Sequence, residues 1–257
     1  MTVAPASLQM SVPQVHVFAD KPALVAAAID QMIQLMRAAI ADRGRCTIAL
    51  AGGSTPKPLY QALGQADLPW QQIYVYWGDE RYVPISHSDS NAKMTQEAWL
   101  NHVAIPAENV FIVPTDTESP QISAERYQQA LMQSFELPVS QFPQFDIILL
   151  GMGDDGHTAS LFPHTAALNE TERWVTVGQK DDQPRITFTA PLINQAHHVM
   201  FLVAGANKQA ALSQVFAPQA DSDLYPARLI APTGTLQWML DADAGQGLPT
   251  TIERTVH

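Results

Sequence analysis

Residues 151–157, Gly-Met-Gly-Asp-Asp-Gly-His, set three glycines, two carboxylates and an imidazole directly after the apolar run Phe145–Leu150. Gly151, Gly153 and Gly156 formally match a dinucleotide-binding turn, which offers backbone N–H groups and a helix N-terminus to a pyrophosphate. Asp154 and Asp155 would put two negative charges into that cradle, and no strand ending in an acidic residue is evident about twenty positions on. An imidazole beside a carboxylate suits different chemistry, the movement of protons. Helix capping accounts for one aspartate. It does not account for the glycines, the second acid and His157 together at a strand end. His157 and Asp155 are the candidates for function, expected at the start of a helix. For Asp154 a cap and a functional role fit equally.

Two more loops carry suitable groups. Ala51-Gly-Gly-Ser-Thr-Pro56 follows the strand Cys46–Leu50 and opens a helix at 57–63, with Pro56 suited to a first turn. Its amides and hydroxyls could hold an anion, and an ordinary capped turn fits the loop as well. It lacks the Gly-Lys-Ser/Thr ending of a phosphate-binding loop and the final glycine of a nucleophile elbow. Tyr76-Trp-Gly-Asp79-Glu80-Arg81 follows the next strand. Such a charged triplet is usually a solvated turn, but its place beside the other loops makes it a candidate wall. Arg185 and Lys208 flank late strands and matter only if the loops converge. The histidine spacings and the single cysteine offer no metal site.

These loops need a frame that brings them together. Short β-rich runs at 15–18, 46–50, 73–76, 110–113, 145–150, 174–177, 185–189 and 198–203 alternate with helical patterns at 22–41, 57–63, 92–102, 121–135 and 207–216. That alternation predicts an α/β fold, an open and mostly parallel sheet with helices on both faces. A single domain over residues 1–257 is the simplest organisation, since no repeat or linker interrupts the chain. Ligands in such sheets bind beyond the strands' carboxyl ends. The loops after Leu50, Tyr76, Leu150 and Val203 should therefore meet.

Composition bounds the partners. The chain of 257 residues is 46% hydrophobic and carries a net charge of −11, which argues against nucleic-acid or anionic-membrane surfaces. Cys46 alone excludes an intrachain disulfide and fits a reducing compartment. No basic, apolar leader is evident. Ile29, Ile33, Met36 and Ile40 step as an amphipathic helix rather than a membrane span. A cytoplasmic protein is expected, a monomer or a weak homodimer.

Taken together, LAGGSTPKPLY (50–60), WGDERYVP (77–84), Ser90-Asn91, LLGMGDDGHTASLFP (149–163), PRITFT (184–189) and VAGANKQAAL (203–212) resemble the 6-phosphogluconolactonase family, within the larger group of phosphosugar deaminases and isomerases. The matches run in order across about two thirds of the chain. Amino-sugar-phosphate deaminases carry Asn-Glu where this chain has Leu161-Phe162, and Asp-Glu-Tyr in place of Asp79-Glu80-Arg81. Both differences favour the lactonase branch. Ala92-Lys93-Met94 departs from the aromatic and glycine common in the family.

The resemblance implies hydrolysis of 6-phospho-D-glucono-1,5-lactone to 6-phosphogluconate in the oxidative pentose phosphate pathway, without cofactor or metal. It also implies a phosphate held against Gly53, Ser54 and Thr55 by Arg185 and Lys208, with Arg81 lining the same pocket. His157 would be the general base, with Asp155, and Asp79 as a second candidate, holding or polarising it. The implied roles are chemically consistent: a lactone carbonyl is already electrophilic, and a base near pKa 6.5 activating water contributes roughly 10²–10⁴-fold. A phosphosugar isomerase or deaminase would need the missing acid near 161–162. A non-catalytic sugar-phosphate sensor would need a partner-binding segment, and the stretch before Val15 is short and uncharged.

Overall fold

Cys46-Thr-Ile-Ala-Leu50 and Ile147-Ile-Leu-Leu150 are buried at every position, the pattern of central parallel strands covered on both faces. The computed structural model describes residues 12–257. In chain order the strands are β1 (Gln14–Phe18), β2 (Cys46–Leu50), β3 (Ile73–Trp77), β4 (Asp79–Arg81), β5 (Val110–Phe111), β6 (Ile147–Leu150), β7 (Val175–Lys180), β8 (Gln183–Phe188), β9 (His198–Val203), β10 (Thr235–Asp241) and β11 (Thr255–Val256). The helices are α1 (Lys21–Arg43), α2 (Lys57–Leu63), α3 (Asn91–Ala98), α4 (Pro120–Phe135), α5 (Ala190–Ile193), α6 (Gln209–Val215) and α7 (Ala242–Gly245).

Eight strands form one sheet in the order β11-β1-β10-β9-β6-β2-β3-β5. Its pairings are all parallel, as expected of an α/β fold flanked by helices. From β2 the chain moves out through β3 to β5, returns to β6 on the other side of β2, and continues to β9 and β10. The direction of travel thus reverses between β2 and β6, where such sheets bind ligands.

Two buried tyrosines close the strand ends at this reversal. The Tyr60 hydroxyl donates to the Ala51 carbonyl at 2.7 Å and accepts from its N–H at 3.1 Å. Tyr127 treats Trp77 in the same way, at 3.0 and 2.9 Å. Burial pushes both phenols well above the usual tyrosine range, so they stay neutral donors.

The parallel-sheet expectation is incomplete. β4, β8 and β7 form a separate three-stranded antiparallel sheet, with Arg81 paired opposite Arg185. Gly78 joins the two sheets: its N–H bonds Leu50 O, and its carbonyl accepts from Phe188 N. Packed rings at Tyr76, Phe135, Phe145 and Phe188 fill the space around the junction.

Other elements also differ from expectation. β10 lies between β1 and β9, yet its Leu, Gln and Met residues are good helix formers and hide it from propensity. The 145–150 run begins its ladder only at Ile147, the 110–113 run pairs only at Val110–Phe111, and the 92–102 helix stops at Ala98 before a 3₁₀ turn at Leu100–His102. Helix α1 passes the length and composition of a membrane span. Its fully buried stripe is Leu24, Val25, Ala28, Met32, Met36 and Ala39, against the sheet, with Ile29, Ile33 and Ile40 on the flank. The segment ahead of Val15, read above as too small for a partner, lies almost wholly outside the described residues.

At the amino-terminal ends of the central strands, buried Asp146 ties three elements together. It accepts from Thr47 N at 2.7 Å, Thr47 Oγ1 at 2.8 Å and Arg43 Nε at 2.6 Å. Losing hydrogen bonds to a charged group costs about 1.5–3 kcal/mol each at most, and part is recovered by relaxation. Asp146→Ala should remove about 2–3 kcal/mol and lower Tm by roughly 4–12 °C. Calorimetry that shows no change would mean the carboxylate does not anchor β2, α1 and β6.

Candidate active site

The turn after β6 is shaped by one close approach. The Asp155 carboxylate and the His157 imidazole fold back over Gly153, where an added Cβ would lie 2.1 Å from His157 Nδ1 and 2.5 Å from Asp155 Oδ1. Gly156 takes a left-handed φ of 81°, closing the turn with its N–H on Gly153 O. No helix follows. Residues 154–162 form tight turns with an isolated bridge from Thr158 to Leu161. Asp155 Oδ1 is spent on His157 itself, accepting from its backbone N at 3.1 Å, so it caps no helix.

That same oxygen lies 2.5 Å from His157 Nδ1. Burial raises the Asp155 pKa, but the hydrogen bond and charge of His157 outweigh it and hold the carboxyl down at about 2. An ionised carboxylate has no proton to give, so Nδ1 is the donor, and in the neutral ring Nε2 then carries the lone pair. Asp154 stands exposed to solvent.

Ala51, Gly52, Gly151, Met152 and Gly153 form the floor of a cavity of about 220 Å³. His157 lines one part of it, and Asp79, Arg81, Asn91, Arg185 and Lys208 line the rest. Four of the residues expected to cooperate, His157, Arg81, Arg185 and Lys208, are thus brought together. Like charges placed directly opposite in a ladder repel, and Arg81 and Arg185 are such a pair. Burial first, then the Arg81 charge, lowers the Arg185 pKa. The Nε atoms of both arginines are buried without a hydrogen-bond partner. An anion in the cavity would offset the repulsion between the two guanidinium groups.

The other expected residues sit differently. Gly53, Ser54 and Thr55 line an adjoining cavity of about 470 Å³, which shares Gly52, Gly151, Met152 and Lys208 with the first. Lys21, absent from the sequence reading, lines that second cavity and donates to Ser54 O at 3.3 Å. Asp79 lines the first cavity, but its Oδ2 accepts from Ser160 Oγ at 2.7 Å, and Asp155 supplies the carboxylate bonded to His157. The Asp79-Glu80-Arg81 triplet is no solvated turn. Buried Glu80 accepts from Arg81 N, Asn91 N, Ala92 N and Ser90 Oγ at 2.7–3.1 Å, fixing α3 and Asn91 against β4. Its pKa is raised by burial, against the pull of those N–H donors. Among the described residues, no group of three or more His, Cys, Asp or Glu could hold a metal.

The family model described as glucosamine-6-phosphate isomerases/6-phosphogluconolactonase matches residues 19–238. The chain belongs to this family. A 6-phosphogluconolactonase of Synechocystis sp. is 54% identical over 92% of the chain and 98% of its own length. A 6-phosphogluconolactonase of Nostoc sp. is 55% identical over 91% and 98%. In solved structures, the family member 6-phosphogluconolactonase from Trypanosoma brucei superposes with a TM-score of 0.80 at 30% identity, covering 93% of this chain and 99% of that one. A monomeric glucosamine-6-phosphate deaminase superposes with a TM-score of 0.76 at 18% identity, a likeness of fold alone. At the positions that separate the branches, this family member buries Leu161 and Phe162, two side chains without a titratable group.

The depressed Asp155 pKa sets a pH dependence. A group whose folded pKa lies below its unfolded value of about 3.9 stabilises the fold above that value, and the contribution is lost as pH falls through the folded pKa. The Asp155 carboxyl carbon, followed by NMR, should therefore stay at its ionised shift down to about pH 3 and titrate near 2. A midpoint near 3.9 would contradict the Asp155–His157 pair.

Proposed function

We propose that this family member hydrolyses 6-phospho-D-glucono-1,5-lactone to 6-phospho-D-gluconate, a step of the oxidative pentose phosphate pathway, with His157 as general base. The observation that carries the reading is a single cavity lined by both an imidazole paired with a carboxylate and a cluster of three cations. The two relatives above, each more than half identical along nearly its whole length, support the same substrate.

The lactone's 6-phosphate lies on Arg81, Arg185 and Lys208, with the Gly53–Thr55 loop and Lys21 forming the adjoining wall. Held there, the ring presents C1 to the imidazole. His157 Nε2 takes a proton from a water as that water's oxygen bonds to C1, and Asp155 stabilises the imidazolium that forms. The tetrahedral intermediate then expels the ring oxygen. The C1–O bond breaks, Nε2 returns its proton to that oxygen, and the acid product ionises in solution. Phosphate binding remote from C1 orients the ring and excludes unproductive poses, where binding energy is most useful. Asp79, held by Ser160, balances the charge of Arg185 rather than touching the base.

The same reading treats the chain as one α/β domain acting on a small phosphosugar, without nucleic-acid or membrane partners, as a monomer or weak homodimer. A cytoplasmic location suits its free, buried Cys46.

His157→Ala should lower kcat by about two or more powers of ten with little change in KM, measured by pH-stat against the spontaneous hydrolysis of fresh lactone. Near-wild-type turnover would remove His157 as the base. Arg185→Gln and Lys208→Gln should each mainly raise KM and weaken competitive inhibition by phosphate. Unchanged KM and inhibition in both would move the anion elsewhere. Ammonia release from glucosamine 6-phosphate would point to the deaminase branch instead.

A further inference from the structure

The hydrogen bond to Asp155 and the covalent link to Cβ both hold the Nδ1 edge of the imidazole, leaving the tilt of its plane to its packing neighbours. A second restraint is present. The phenyl ring of Phe162 lies with its centroid 4.3 Å from that of His157, at an interplanar angle of 39°. Phe162 is 5% exposed, so its ring is itself confined.

Three features confine it. Its carbonyl accepts from Thr165 Oγ1 at 2.8 Å. The turn carrying it is bracketed by two non-glycine residues in the left-handed region, Ala159 at φ 48° and His164 at φ 58°, conformations that persist only where surrounding structure enforces them. His164 is held from the neighbouring loop, its N–H bonded to Asp223 O and its Nδ1 lying 2.6 Å from Asp223 Oδ2. Two cations also sit over the phenyl: Arg185, with its guanidinium carbon 5.6 Å from the centroid, and Lys180, with its ammonium at 5.7 Å.

Phe162 is also a partition. His157 and Arg185 line the small cavity, whereas Phe162, Asp155, His164 and Lys180 line a separate groove of about 620 Å³. The phenyl contacts the imidazole and also borders that groove, which His157 does not line. It has no group that could take the proton His157 carries between water and ring oxygen.

We propose that Phe162 is a positioning residue for the hydrolysis: its ring, confined by the 159–164 turn and by Arg185 and Lys180, fixes the plane of the His157 imidazole and shields its rear from the neighbouring groove. The proposal rests on the reading of His157 as the base, through which Phe162 acts.

The test is steady-state kinetics with fresh lactone on Phe162→Leu, Phe162→Met and Phe162→Tyr, each alone and combined with His157→Ala. Removing the ring should lower kcat by about tenfold or more, because small misplacements of a catalytic group are costly, with KM within about twofold. The conservative variant Phe162→Tyr is expected to keep kcat within about threefold of the wild type, since the ring is retained. In the His157→Ala background, losing the phenyl should cost nothing further, as for residues that act as a unit. Phe162→Met, whose unbranched side chain adapts to irregular space, serves if Phe162→Leu does not fold.

Three results would overturn the proposal while leaving His157 as the base: wild-type kcat without the ring, an effect confined to KM, or the same fold loss with and without His157. Near-wild-type turnover of His157→Ala alone would instead remove the base, and this proposal with it.

Discussion

An ionised carboxylate can only accept a hydrogen bond, and that constraint governs the whole candidate site. With Asp155 ionised, the 2.5 Å contact to His157 places the imidazole proton on Nδ1 and leaves Nε2 free. The surrounding turn exists to permit the contact. At position 153 only glycine fits beneath the two side chains, and Gly156 turns the chain so that Asp155 reaches back to His157 rather than forward to a helix. A sequence that looks like a nucleotide cradle is therefore a mount for a hydrogen-bonded carboxylate–imidazole pair.

The second half of the cavity comes from a different part of the fold. The main parallel sheet supplies the glycine floor and the turn carrying His157, while the small antiparallel sheet brings Arg81 beside Arg185. Lys208, after β9, completes the cluster. A chain with a net charge of −11 repels a phosphorylated substrate at long range. Three cations concentrated at one cavity reverse the sign locally. Opposing two guanidinium groups costs stability that an anion between them would restore. Glu80 makes the arrangement rigid, since one buried carboxylate joins β4 to the start of α3 and so places both Arg81 and Asn91.

Much of this was legible in the residues themselves. Apolar runs ending in glycine-rich loops located the carboxyl ends of β2 and β6, and the loops after them do converge. Asp155-Gly-His157 stood out because capping could not explain it. The small sheet was not legible, since the runs at 174–177 and 185–189 read as strands whose direction and partners depend on tertiary contacts. Asp79-Glu80-Arg81 is legible as a candidate wall, but the burial of Glu80 is not, because three adjacent charges are normally exposed and the donors from Arg81, Ser90, Asn91 and Ala92 that make it tolerable come from the fold. Lys21 sits about thirty residues from the loop it approaches, at the start of a helix, where nothing local marks it. Phe162 drew notice only for lacking a proton. Its contact with His157 arises from the turn, which the expected helix would have replaced.

The account stands or falls on which nitrogen of His157 carries the proton. Long-range ¹H–¹⁵N correlation spectra of the neutral imidazole report this directly. The Nδ1–H form is expected, with Nε2 unprotonated and facing the cavity. A spectrum showing the Nε2–H form would leave no lone pair for water and would contradict it.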